Sequence, residues 1–127
     1  MPEEVYSKEM LADGRIVCFR FVSTGSEAAE KWYLELTDLF SNWDKRAPLL
    51  MLVDLSRENN LVSAEMMRTA REASHERPDV PGKTAVLIDG SEPSQNIKLL
   101  LDRGLAETRQ RKIVASESEA VAWLLEP

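Results

Sequence analysis

Pro48-Leu49-Leu50-Met51-Leu52-Val53-Asp54-Leu55-Ser56 is the stretch that decides the architecture. An unbroken apolar run with no polar alternation fits a strand covered on both faces, as in a parallel sheet, and not a half-wet antiparallel one. The run ends in Asp54-Leu55-Ser56, followed by Arg57-Glu58-Asn59-Asn60 and a helical pattern from Ser63. A strand of this kind delivers its terminal polar residues to the carboxyl edge of the sheet, where open α/β folds place their sites. An address for function is therefore legible before any function is.

Working outward, Glu4–Leu11 and Arg15–Val22 flank Ala12-Asp13-Gly14. Asp-Gly between two strand-like runs predicts a hairpin, because Gly accepts positive φ at little cost. The second arm is the more apolar and belongs deeper in the sheet. The first reads as an edge strand, with Lys8 and Glu9 discouraging further pairing. Ser23-Thr24-Gly25-Ser26 breaks the chain and caps a helix, with Glu27 and Glu30 near its positive end. Ala29, Trp32, Tyr33, Leu36, Leu39, Phe40 and Trp43 then recur at steps of three and four, one apolar stripe suited to packing on a sheet.

Beyond the buried strand over 48–55, a second helix is predicted near 63–75, turning Met66, Met67, Ala70 and Ala73 inward. Arg77-Pro78-Asp79-Val80-Pro81-Gly82 reads as a loop, Thr84–Ile88 as a short strand ending at Asp89-Gly90. Ser91-Glu92-Pro93 opens a third helix, Pro being harmless in a first turn, and Gly104 ends it. Lys112–Ala115 make a last strand, and Ser116-Glu117-Ser118-Glu119 starts a closing helix that buries Ala120, Trp123 and Leu124. The order β-β-α-β-α-β-α-β-α predicts one α/β domain over 1–127: a mixed, mostly parallel sheet with an antiparallel N-terminal hairpin strand.

Composition narrows the function classes. A chain of 127 residues, 43% hydrophobic and 30% charged, has the size and make-up of a single globular domain with its own core. A net charge of −6 argues against a general nucleic-acid or anionic-membrane surface, since both want a cationic face. The single Cys18 excludes a disulfide framework and a cysteine zinc cluster, and within Ile16-Val17-Cys18-Phe19 it reads as a small core hydrophobe. The acidic start Met1-Pro2-Glu3-Glu4 is unlike a signal peptide, and no apolar run approaches the roughly 20 residues a membrane helix needs. A cytoplasmic location with no membrane span is the expectation.

Few residues could carry chemistry. Asp54 and Asp89, at strand ends, could together hold Mg²⁺ or accept a phosphoryl group; alternatively each caps a turn through local backbone bonds. No Asp-x-Asp, adjacent acidic pair or strand-end Lys completes a phosphoryl site. His75, the only histidine, suits a helix C-terminus, and no Gly-x-Ser-x-Gly exists to offer it a nucleophile. Phosphate-binding glycine loops are absent. Arg109-Gln110-Arg111-Lys112 reads as a solvated basic run before the last strand, as do Arg68 and Arg71 on the second helix. Ser63 stands where a loop becomes a helix: an N-cap, or a phosphorylation site whose phosphate would meet free N–H groups.

Asp54-Leu55-Ser56, followed at Val62-Ser63-Ala64-Glu65-Met66 by a helix start, resembles the STAS (sulfate transporter and anti-sigma-factor antagonist) domain, where a strand ending Asp-Leu-Ser leads to Asp-Ser-Ser-Gly-Leu. Leu99-Leu100-Leu101-Asp102-Arg103-Gly104-Leu105 is similar to that family's Leu-rich helix closed by Gly-Leu. Ile113–Leu124 is similar to its last strand and helix, with an Ala-x-x-Trp-Leu ending like that of stand-alone STAS-like proteins related to sporulation regulators. The resemblance implies a regulatory binding module and not an enzyme, one that docks a protein through the helix start and is blocked by phosphorylation of a serine that falls on Ser63. Val62, Ala64 and Glu65 stand where the family has Asp, Ser and Gly, and Glu65 would repel a phosphate.

The resulting expectation is non-catalytic binding of a protein partner through Asp54–Met67. Ser56 and Ser63 cap, while Glu65, Arg68 and Arg71 present charge; no metal or cofactor is called for. The alternative is a module for a small apolar ligand or lipid, lined by Met51, Met66, Met67 and the tryptophans. Exposed parts of the Trp32 and Trp43 face would offer a homodimer surface.

Overall fold

The computed structural model of the chain describes residues 6–22, 25–43, 47–56, 64–76, 79–88, 98 and 109–126. In order these form β1 (Tyr6–Leu11), β2 (Ile16–Phe21), α1 (Ser26–Ser41), β3 (Leu49–Asp54), α2 (Ala64–Glu76), β4 (Gly82–Leu87), β5 (Arg109–Val114) and α3 (Glu117–Leu124). Ser63, Asp89 and, save for Lys98, the helix expected over Ser91–Gly104 lie outside the described residues.

The five strands lie in chain order, β1-β2-β3-β4-β5. β1 runs antiparallel to β2, and every later pair is parallel. The hairpin turns as its sequence demands: Asp13 (φ 58) and Gly14 (φ 85) take positive φ, and the Arg15 N–H donates to the Ala12 carbonyl at 3.2 Å. Ala12 is also left-handed, at φ 53, where a Cβ is strained.

All six residues of β3 are buried, as its composition predicts. Their alternation assigns them to two cores. Leu49, Met51 and Val53 point to a first face that also receives Phe19 and Phe21 of β2, Trp32, Leu36 and Phe40 of α1, and Met66 and Ala70 of α2. Aromatic edges knit this layer: Phe21 and Trp32 meet at 5.1 Å and 82°, Tyr6 and Phe19 at 5.8 Å and 80°. α1 and α2 pack together on that side, and the Thr69 hydroxyl of α2 donates to the Ala29 carbonyl of α1 at 3.3 Å. Leu50 and Leu52 point to the second face, with Ile16, Cys18, Leu87 and Val114, beneath Ala120 and Leu124 of α3.

The α1 N-cap is Gly25, within the stretch expected to cap this helix; its carbonyl accepts from the Ala29 N–H at 3.0 Å, and it has no side chain to cap with. Three local expectations are corrected. β4 and β5 begin at Gly82 and Arg109, earlier than apolar content suggests, because backbone pairing with an inner neighbour extends a strand whatever its side chains are. The basic run 109–112 is therefore inside an edge strand and not before it. Trp123 is only half-buried, its ring serving as a seat for the Lys83 ammonium 5.2 Å away. The start of α3 follows expectation: the Ser116 hydroxyl accepts from the Glu119 N–H at 3.2 Å.

Candidate functional site

At the carboxyl edge of the sheet, one cation gathers three anions. Arg20 is the polar residue in the otherwise apolar strand Ile16-Val17-Cys18-Phe19-Arg20-Phe21, and alternation sends it to the second face. The register sets it directly beside Asp54, the last residue of β3. Arg20 Nη1 donates to Asp54 Oδ2 at 3.0 Å, Nε to Glu9 Oε1 at 2.8 Å, and Nη2 to Glu117 Oε1 at 2.5 Å. Glu9 comes from β1 and Glu117 from the first turn of α3, so one guanidinium ties three strands to a helix. Hydrogen bonds to Glu9, then Glu117, with a further one to Asp54, hold its protonation above the usual arginine range despite partial burial.

Both carboxylate oxygens of Asp54 are engaged. Its second oxygen, Oδ1, accepts from the Ser56 N–H at 2.9 Å and from the Ser56 hydroxyl at 2.6 Å. That Asx-type turn is the capping role expected of Asp54 and Ser56. With a side chain only 9% exposed and both oxygens engaged, Asp54 is fixed as a structural anion.

The remaining predicted residues stand elsewhere. Glu65, Arg68 and Arg71 are exposed on α2, in the helical layer of the first face, whereas the Asp54 side chain turns to the second face. Residues 57–63, which would join the two ends of the surface expected over 54–67, lie outside the described residues. Glu72 and His75 extend the exposed charged side of α2, with His75 in its last turn. Neither Arg68 nor Arg71 forms an ion pair among the described residues. Ser63 is outside those residues, as is Asp89, so their roles rest on sequence alone.

Three of the apolar residues suggested for a ligand cleft are packed, while Trp43 and Trp123 are half-buried and the Met67 side chain lies outside those described. Trp32, Met51 and Met66 are buried in the first core. Burial of Trp32 also removes it from the suggested dimer surface, and Trp43 is half-buried with its indole N–H donating to the Ala47 carbonyl at 2.8 Å. Cys18 is fully buried, which pushes its thiol up to about 11. The Tyr6 phenol is raised too, by burial and by donating to Glu35 Oε1 at 2.5 Å. Among the described residues no cluster of His, Cys, Asp or Glu is arranged to hold a metal ion, and no helix is long and apolar enough to cross a membrane.

Sequence reasoning passed over Arg20. A lone Arg inside a five-residue apolar context was the available signal, since a charge on a covered strand needs a partner. The site and sheet together define an α/β domain with a mixed five-stranded sheet and an arginine-centred polar cluster at its carboxyl edge. Comparisons with protein-family models, with curated proteins and with solved structures find no match.

Proposed function

We propose that this chain is a non-catalytic regulatory module that binds a protein partner, in the manner of the STAS-type antagonists of anti-sigma factors that its sequence resembles. The observation that carries this reading is the condition of its charged groups. Asp54, the residue best placed by sequence for phosphoryl or metal chemistry, is consumed by Arg20 and Ser56. Glu65, Arg68 and Arg71 are exposed beside the helix start and available to a partner. Exposed charge with no ion-pair partner among the described residues suits recognition, through encounter rate and register. In this reading the partner engages α2 and the strand end at 54–56, and Ser63 is the residue whose phosphorylation would change docking. The module acts in the cytoplasm.

The second reading, a carrier of a small apolar ligand, has less to stand on, because Met51, Met66 and Trp32 already fill one another's space.

The test is native mass spectrometry of the chain purified gently from its own cells, with Arg68→Glu/Arg71→Glu alongside. A stoichiometric protein partner that is lost in the double variant, at unchanged melting temperature, supports docking through α2. A phosphate-sized increment abolished by Ser63→Ala supports the switch. An organic adduct lost on denaturation supports the carrier, and a partner retained by the charge-reversed chain refutes the α2 surface.

A further inference from the structure

α3 has eight residues, too few to hold a helix by themselves in water. Yet among the described residues it is the element that closes the second face, burying Ala120 and Leu124 against Leu50, Leu52, Leu87 and Val114. A cation from the sheet clips each of its ends. Arg20 Nη2 holds Glu117 at the N-terminus, 2.5 Å away. At the other end Lys83 Nζ donates to the carbonyls of Trp123 and Glu126, each at 2.8 Å. The Trp123 carbonyl also accepts from the Glu126 N–H at 3.2 Å, and both carbonyls lie at the negative end of the dipole, so Lys83 reinforces the C-terminal cap from β4.

The first clip is shared. Each nitrogen of the Arg20 guanidinium is committed to a different carboxylate, and one of those carboxylates, Asp54, leads into the strand end at Ser56. We propose that α3 is a detachable strap over the second face, and that Arg20 couples its attachment to the state of the Asp54 edge. The buried Asp54 aims the rigid guanidinium fork at Glu117; when Asp54 or its turn is pulled, the fork reorients and Glu117 lets go. The link from partner engagement to strap release rests on the docking reading above, whereas the detachment of α3 does not. Local opening of this kind belongs to elements with few buried contacts, and α3 fits, its outer residues Ser118, Glu119 and Ala122 being exposed.

The chain carries its own reporter. Cys18, the single cysteine, is wholly buried in the second core and becomes reachable when the strap leaves. The experiment is the rate of Cys18 labelling by an aromatic disulfide reagent, on the full chain under native conditions, across a urea series, with global unfolding measured in parallel for each variant. The expected result is a low-urea phase that is nearly independent of urea. Glu117→Gln should speed this phase about 2- to 5-fold, the scale of a half-exposed ion pair. Lys83→Met should speed it about tenfold, through two lost charged hydrogen bonds. Asp54→Asn should speed it as well, and Asp54→Asn/Glu117→Gln by less than the product of the singles, because both act through Arg20. Labelling that follows the global unfolding line at all urea concentrations overturns the strap. Singles whose effects multiply, or an Asp54→Asn that slows labelling, overturn the coupling. No partner is needed, so a failed docking surface leaves this result untouched.

Discussion

Arg20→Met tests the polar cluster most directly. The substitution keeps an unbranched apolar stem and removes the guanidinium, leaving Asp54 Oδ2 facing the sheet with no donor. Breaking a fully buried pair costs about 3–5 kcal/mol. Here the Arg20 side chain is 26% exposed and Asp54 9% exposed, so water offsets part of the penalty, and about 2–3 kcal/mol remains for this contact. Glu9 and Glu117, at 46% and 45% exposure, each add at most about 0.5 kcal/mol. The sum is about 3 kcal/mol, a fall of about 10 °C in melting temperature for a chain of this length. The decisive comparison is the double variant. Asp54→Asn removes the charge while its amide oxygen still accepts from Ser56, so Arg20→Met/Asp54→Asn should regain about 1.5–2 kcal/mol over Arg20→Met alone. The assay is urea unfolding at pH 7 of all four proteins, read as midpoints at constant slope. If the two single losses simply add, Asp54 is not a buried charge dependent on Arg20, and the cluster is solvated decoration.

Other expectations follow from single positions. Cys18 is raised from 9.0 to about 11 on folding, so the folded state favours the thiol; its contribution is complete below pH 9 and is lost as pH rises from about 9 to about 11. Cys18→Ala should lower stability at pH 7 yet flatten the decline between pH 9 and 10, checked by unfolding midpoints across pH; an unchanged slope refutes thiol burial as its source. Gly82 has φ 157 and lies so close to β3 that an added Cβ would overlap the Leu49 carbonyl oxygen, so Gly82→Ala should cost about 3 kcal/mol or more, or abolish folding. Ala12→Gly should instead stabilise by about 0.5–1 kcal/mol in urea unfolding, by relieving a left-handed alanine. Thr37 Oγ1 is buried without a partner among the described residues, so Thr37→Val should raise stability by about 1 kcal/mol; a loss of that size would mean the hydroxyl is satisfied in solution.

Much of the architecture lies on the surface of the sequence because its signals are local. The apolar run at 49–53 announces burial on both faces, Asp13-Gly14 announces the hairpin, and the stripe through Trp32, Leu36 and Phe40 announces a helix on a sheet. β5 is hard to read because its backbone pairing, not an apolar pattern, makes it a strand: Arg109, Gln110, Arg111 and Lys112 stand in parallel register with β4. The cluster is harder still. Asp54 could be placed at a sheet edge from its own neighbourhood, and its turn with Ser56 follows from adjacency. Its tie to Arg20 spans 34 positions and that of Arg20 to Glu117 spans 97, and no local pattern encodes either. Nor does periodicity reveal that Asp54 and Arg68 stand on opposite sides of the sheet, since that depends on which side the crossover carries α2.

The strictly sequential strand order has a consequence for how the molecule is made. Each new strand of β1-β2-β3-β4-β5 docks beside the one just synthesised, so the sheet can grow outward as the chain emerges, without waiting for a distant partner to be inserted between finished strands. The helices of the first face arrive between the strands they cover, so that side is shielded as it forms. Among the described residues, the other side is not. Ile16, Leu50, Leu52 and Leu87 are already in place when residues 117–124 are still to be made. During synthesis the nascent sheet thus carries one finished face and one adhesive face, and the interval before α3 lands is when the chain is most exposed to aggregation and most in need of a chaperone.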